Sequence, residues 1–589
     1  MKKWIRSSPG RHLPGVRSSR RGFLQASAAL AAIQALGWAP QPLPGPRPEL
    51  TELPAGFPDG IQLLPQTYRT WSGETVIPNL WTVVPRTPED LVRLANWALA
   101  NGWRVRPKGM SHGWSPLLLP HGTPPAGYLL VDLTRHLNRV RIQAGETPAT
   151  VTAETGVTLE VLLAELGAAG LGLPATPAVG VVTLGGVLAV NGHGAALRPE
   201  GERLEPGRSY GSLSNAILQL TALVWDAAAG RYGLRSFRRD EPAIQALLTH
   251  GGRALITEAV LQVVPDRPLR CQSLFDLAAS EVFAAPQEAG PNAFQALTLA
   301  HGRVEAIWFP FTREPWLKVW SVCPQRPWSS LEVTAPYAYG FANWLTPAQS
   351  QFLRELMAGN LACTPVFQEL EMAATASGLA LSGTMDIWGP SRCSTLYVKP
   401  TTLRLAENGY AVITSRYDIQ RVVHDFTSFY RSLVASYQAR GEFPMNGPVE
   451  IRVTGLDQAG EVALAGALEP QLSALRPRPD RPGWDCAVWL DALTFPGTPA
   501  ANSFFTELET WLLAHYTGDY ADVRVEWSKG WGYTPAGPWT REALLTSGIP
   551  EACQRGQAAD DGWAAALRTL NALDPHRLFS NPFLDRLLP

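Results

Sequence analysis

The sequence predicts a two-domain α+β protein, and three observations carry that expectation. At 589 residues the chain exceeds the size at which a single hydrophobic core usually keeps growing. Apolar residues make up 46% of it and charged residues 17%, a globular rather than disordered composition. Strand-period and helix-period stretches alternate over residues 46–268, and the chain then becomes richer in Trp, Phe and Pro over residues 269–545. The first block is expected to be one domain and the second another, built on a mixed sheet. Residues 546–589 are expected to return to the first domain.

Taken in order, Ser19-Arg20-Arg21-Gly22-Phe23-Leu24-Gln25 precedes an apolar run at residues 26–36. This reads as a twin-arginine export signal, and residues 1–45 as signal plus spacer. The run is too short to span a bilayer. The expected location is periplasmic or secreted. Residues 77–85 form a strand-like run. Thr87-Pro88-Glu89-Asp90 then starts a helix, with Pro in its first turn and acids at the positive end of its dipole. Asn101-Gly102 ends it. Strands follow at Val105, at 128–133 and at 149–156, a helix at 159–166, a strand at 216–225, a helix at 242–248 and a closing strand at 256–263. The second block has strands at 304–309 and 449–453 and helices at 348–357 and 502–513. A helix at 563–574 and a short turn at 578–584 finish the chain.

The balance of 50 basic and 51 acidic residues, net −1, argues against a nucleic-acid partner. The six cysteines show no C-x-x-C pair; their even number permits disulfides in an exported protein, but their wide spacing shows no staple framework, and mostly free, buried thiols are expected. Gly207-Arg208-Ser209-Tyr210-Gly211 matches the hydrolase elbow G-x-S-x-G. It does not pass from a buried strand into a helix, so the match carries no weight. No H-E-x-x-H or paired His/Cys spacing suggests a metal.

The chemistry concentrates in two glycine-rich stretches. The first is Arg106-Pro107-Lys108-Gly109-Met110-Ser111-His112-Gly113-Trp114. The second runs from Thr183-Leu184-Gly185-Gly186 to Asn191-Gly192-His193-Gly194. Neither is a Rossmann fingerprint or a Walker loop. A pyrophosphate needs several backbone N–H groups at close range, and glycine permits that approach. Both stretches are read as loops leaving strands. The pair resembles the phosphate-cradling loops of the FAD-binding domain in the vanillyl-alcohol oxidase family.

That resemblance implies cofactor contacts from Lys108, Gly109, Met110, Ser111 and Gly113 in the first loop. In the second it implies Thr183, Gly185, Gly186, Asn191, Gly192, His193 and Gly194, with Ile256 on the closing strand. A neutral imidazole nitrogen can attack an activated flavin 8-methyl carbon. His112 sits where several family members bond their flavin, so a covalent link is expected there. The alternative role for His112 is a hydrogen bond to phosphate or ribose.

The second domain narrows the resemblance. Val304-Glu305-Ala306-Ile307-Trp308-Phe309, Trp316-Leu317-Lys318-Val319-Trp320, Leu396-Tyr397-Val398-Lys399-Pro400-Thr401-Thr402 and Glu450-Ile451-Arg452 are similar to the bacterial class II, covalent-flavin cholesterol oxidases. Glu450 and Arg452, two apart on a strand, share a face and can pair, and their apolar neighbours suggest burial. The resemblance implies that this pair lies beside the flavin and gates an oxygen path, with Arg452 stabilising negative charge on the substrate oxygen. Glu305, in an apolar strand, is expected to be desolvated with a raised pKa, which suits a base. Lys529 resembles a lysine that favours the anionic reduced ring. The resembled pattern carries an asparagine near the position of Asp491.

The implied activity is flavin-dependent oxidation of a 3β-hydroxysteroid, with oxygen reduced to hydrogen peroxide. Isomerisation from Δ5 to Δ4 would use Glu305 or, second, Glu450. Transient membrane contact is expected near residues 344–379. Two rivals stay open at this level. One is an oxidase for an alditol or aromatic alcohol on the same fold, and the other is a non-catalytic sterol-binding protein.

Overall fold

The structure, a computed structural model, describes residues 54–337, 347–357, 359–395 and 404–589. The expected export signal, the 396–402 motif and part of the expected membrane-contact segment lie outside these residues. No described helix is long and apolar enough to cross a membrane.

Residues 62–132 form a four-stranded sheet from β1 (Gln62–Arg69), β2 (Val76–Val84), β3 (Arg104–Lys108) and β4 (Tyr128–Asp132), in the order β1-β2-β4-β3. β4 is parallel to both β2 and β3, so its five residues are buried. The helix Pro88–Ala100 connects β2 to β3. Thr87 accepts from the Asp90 N–H, and the Asp90 carboxylate accepts from the Thr87 N–H, so the sequence signal is a working capping box. Leu91, Leu94, Ala95 and Ala98 face inward at helical spacing.

A second sheet comprises β5 (Val140–Gln143), β6 (Ala149–Glu154), β7 (Leu171–Gly172), β8 (Ile217–Asp226), β9 (Arg231–Arg238) and β10 (Leu255–Pro265). β10 is its centre, paired with β6, β7 and β8. The helix expected at 242–248 is a shorter 3-10 turn, Pro242–Ala246. The second glycine stretch does not leave a strand, as the sequence reading expected. It forms a short helix, Leu184–Ala189, in which Leu184, Val187 and Leu188 are buried. Apolar contact at these spaced positions overrides the turn tendency of Gly185-Gly186.

The third sheet is mixed and has nine strands: β11 (Leu269–Leu274), β12 (Arg303–Trp308), β13 (Trp316–Val322), β14 (Leu331–Glu332), β15 (Asp386–Gly389), β16 (Ala406–Thr414), β17 (Val449–Gly455), β18 (Cys486–Thr494) and β19 (Ala521–Val525). Their order is β14-β15-β11-β13-β12-β17-β18-β16-β19. Every strand pair is antiparallel except β14–β15. Helices Ile419–Ala439 and Ala501–His515 cover one face, burying Phe426, Tyr430, Phe504 and Leu508. The other face is turned toward the first two sheets and carries the charged residues described below.

The C-terminal segment packs on the first domain. Leu578 and Phe579 share a core with Val105 and Leu129. The Arg253 guanidinium donates to Asp574 at 2.8 Å, and the Asn581 amide donates to the carbonyls of Leu117 and Leu118. These bonds brace the chain just beyond the first glycine loop. Asn581 also caps a helix, Pro582–Leu587, where only a turn was expected.

Candidate active site

The first glycine loop leaves β3 and is pinned on both sides. The Trp71 N–H donates to the Ser111 carbonyl at 2.7 Å, and the Trp114 N–H donates to the Ser528 carbonyl at 2.7 Å. Ser111 is left-handed at φ 56°, which turns the loop into the molecule, and its buried hydroxyl has no protein partner. Gly109 backs against Thr183 of the second stretch, so a side chain at 109 would collide with the Thr183 hydroxyl. Only glycine lets the two stretches meet there.

They enclose a cavity of ≈ 380 Å³. Of the residues implied as cofactor contacts, Gly109, Met110, Ser111, His112, Gly113, Thr183, Gly186, Gly192 and His193 line it. Lys108, Gly185, Asn191, Gly194 and Ile256 do not. Gly185 packs against Thr155, and the Ile256 carbonyl accepts from the Thr155 hydroxyl at 2.6 Å. The Asn191 side chain is taken up by Asp457, Ser473 and the Ala474 N–H. Its role in this structure is to tie the second stretch to the second domain. The buried Asp457 carboxylate, which the sequence did not flag, also accepts from Ser212.

His112 stands on the cavity wall between two indoles, with ring centroids 4.9 Å from Trp71 and 5.8 Å from Trp114. Burial, reinforced by the positive charge of Lys529, pulls its pKa down to about 4. Among the described residues neither ring nitrogen is engaged in a hydrogen bond. It is therefore a neutral imidazole with a free lone pair. His193 is held differently. It stacks on Trp489 at 3.5 Å, and its ring nitrogens meet the Gly194 carbonyl and the Glu526 carboxylate.

The cavity's far wall is the third sheet. Arg452 and Glu450 project from one face of β17, as the two-residue spacing predicts, with Nη2 of Arg452 3.2 Å from Glu450. The register sets Glu305 of β12 opposite Arg452, and Asp491 of β18 opposite Glu450. Arg452 therefore reaches Glu305 at 3.3 Å and also bonds Asp491. Its buried Nε has no protein partner. Lys529 bonds Glu407 of β16 and lies 3.9 Å from Glu526. Glu407, Glu450, Arg452, Glu526 and Lys529 all line the cavity.

Glu305 corrects an expectation. It is buried as predicted, but its pKa is lowered rather than raised. Burial pushes it up, yet Lys318 at 3.0 Å and Arg452 together outweigh that. Both of its oxygens are engaged, and it faces a smaller side cavity of ≈ 60 Å³ rather than the main one. The group poised near neutrality is Glu407, raised to about 7 by burial and only partly restrained by Lys529. Sequence reading missed Glu407. The signal available was a glycine two residues on: Gly409 in a fully buried strand marks a close approach. A side chain at 409 would strike Asp491 and the Lys529 stem.

The family model described as "Cholesterol oxidase, substrate-binding" matches residues 268–589, and "FAD binding domain" matches residues 80–203. A solved structure of a solvent-stable cholesterol oxidase is 49% identical, with a TM-score of 0.90, covering 91% of this chain and 100% of that one. The cholesterol oxidase from B. sterolicum is 42% identical at a TM-score of 0.89, covering 91% and 99%. L-gulonolactone oxidase 2 of Arabidopsis thaliana is 33% identical over 118 residues, 20% of this chain and 19% of that protein. The match to this curated relative thus spans about a fifth of its length. Since the substrate-binding match alone takes in more than half of the residues, this chain belongs to the cholesterol oxidase family.

Proposed function

We propose that the protein oxidises cholesterol and related 3β-hydroxysteroids to the 3-ketone, moves the double bond from Δ5 to Δ4, and reduces oxygen to hydrogen peroxide. The observation that carries this reading is Arg452, a largely buried guanidinium with a free Nε–H on the wall of the cavity that also holds His112.

The residues present fit FAD. Two glycine-backed stretches converge, the buried Ser111 hydroxyl lacks a partner, and Trp71, Trp114, Val182 and Leu405 offer apolar walls to a flat ring. Bound there, FAD supplies the two-electron acceptor and the chemistry with oxygen. The protein supplies orientation and charge. Arg452 donates to the substrate oxygen as its proton leaves, in a site where burial makes that charge effective. Lys529, kept positively charged by Glu407 and Glu526 despite its burial, favours negative charge developing at the same wall. Glu450 both lines the cavity and touches Arg452, so we assign it, ahead of the recessed Glu305, to carry the proton from C4 to C6. The neutral, unengaged His112 is the group we assign to the covalent bond with the flavin 8-methyl carbon.

Adding cholesterol anaerobically to the yellow holoenzyme should bleach the flavin absorbance, and air should restore it. A flavin that stays oxidised with cholesterol but bleaches with an alditol or aromatic alcohol would move the substrate class and keep the fold.

Export by the twin-arginine route and brief docking at a membrane surface complete the proposal. Val366 and Leu381, on the helix Thr364–Ser382, are exposed apolar side chains in or beside the expected contact segment. The mature protein should co-sediment weakly with sterol-containing liposomes, and Val366→Asp with Leu381→Asp should lower the bound fraction. Equal sedimentation of the two proteins would remove this surface from the proposal.

A further inference from the structure

The face of the third sheet that walls the cavity carries more acid than base. Glu305, Glu407, Glu450, Asp491 and Glu526 supply five carboxyls from four strands and the segment after β19. Facing them are Lys318, Arg452 and Lys529, three fixed cations, and His193. Even a charged His193 would leave the group with one excess negative charge if every carboxyl were ionised. One oxygen each of Glu407, Glu450 and Asp491 lies within 4.8 Å of the others. Carboxyls that close in a buried site cannot all give up their protons.

Position decides which of them keeps its proton. Glu305 has Lys318 as well as Arg452, and Glu526 has Lys529 and His193. Glu450 is partly exposed on the cavity wall and Glu407 bonds Lys529. Asp491 is fully buried. One of its oxygens accepts from Arg452, and the other, Oδ1, has no hydrogen-bond partner and occupies the space that a side chain at position 409 would fill.

We propose that Asp491 stands in the resting site as a neutral carboxylic acid and is the positioning residue for Arg452, holding the guanidinium in place while leaving its charge to the substrate oxygen. The proposal rests on the assignment of Arg452 above. Were Asp491 a carboxylate, three anions would surround Arg452 and together repel a developing alkoxide. As an acid, Asp491 still accepts one N–H and cancels none of the charge. Burial first, then Glu526, pushes its pKa well above the ordinary carboxyl range, against Lys529 and Arg452.

The test needs no turnover. The wild-type minus Asp491→Asn infrared difference spectrum of the holoenzyme at neutral pH should show a carboxylic-acid carbonyl band, sensitive to D2O, over the contribution of the half-protonated Glu407 that both proteins share. Glu407, raised to about 7, should give the bound flavin's absorbance a pH step near that value; because the amide is neutral like the acid it replaces, the step should stay in place in Asp491→Asn and vanish in Glu407→Gln. In turnover, Asp491→Ala should lose at least about tenfold in kcat, and Asp491→Asn should recover most of that loss. A difference spectrum with no carboxylic-acid band overturns the proposal. So does a step that moves about one pH unit or more toward acid in Asp491→Asn, since that variant would then have removed a negative charge. If sterol turnover is absent altogether, the band and the step still decide the matter separately from the assigned activity.

Discussion

Arg452→Ala should slow reduction of the bound flavin by cholesterol about 10²–10³-fold, the loss that follows when one buried donor is withdrawn from a developing oxyanion. The size follows from where Arg452 sits. Among the described residues it alone meets Glu305, Glu450 and Asp491 at once, and its Nε–H has no protein partner. Removing it leaves three acids facing one another, so the site takes up protons or water as well as losing its donor. The same change should cost about 3–5 kcal/mol of stability, as expected when one partner of a buried ion network is deleted. Arg452→Lys separates the two effects. It keeps the charge and most of the stability, but a single ammonium cannot serve three carboxyls in the geometry of the guanidinium fork. Single-turnover flavin reduction, measured with thermal unfolding, distinguishes these outcomes. A flavin reduced at the wild-type rate in Arg452→Ala would remove this residue from the chemistry.

The second large effect is all-or-none. Acid precipitation of the wild-type protein should leave the yellow colour in the pellet, and His112→Ala should release it to the supernatant. His112 suits a covalent role because burial and Lys529 keep it unprotonated down to about pH 4. A lowered histidine pKa means the neutral form is already complete well below physiological pH. Attachment of FAD to the apoprotein should therefore show no inflection at 6.5, the ordinary histidine value. Colour retained in the His112→Ala pellet would assign the link to another side chain, and an inflection at 6.5 would mean that the imidazole is less sheltered than the two indoles make it.

How much of this was legible in the residue string depended on whether the pattern was local. The helix start at Thr87–Asp90 was readable because a capping box is satisfied within four residues. The shared face of Glu450 and Arg452 was readable because a strand alternates with period two. The second glycine stretch was misread as a loop. Its helix, Leu184–Ala189, is held by burial against residues far away in the chain, which no local propensity records.

The ionisation of the site was the least legible part. Glu305 lies in an apolar strand, and apolar neighbours by themselves argue for a raised pKa. The strand register brings Lys318 and Arg452 to it, 13 and 147 residues away, and reverses the direction. Glu407, Asp491 and Glu526 reach the same wall from separate elements through pairings that leave no spacing signature. The sequence by itself determined the class of fold, through the alternation of periods along the chain, and the two glycine stretches with their histidines and the paired Glu450 and Arg452, because each of these is written within a few consecutive residues. Which carboxyls face one another, which keep a proton and which residues line the cavity was decided only by the tertiary structure, because charge interactions depend on distance in space and not on separation along the chain.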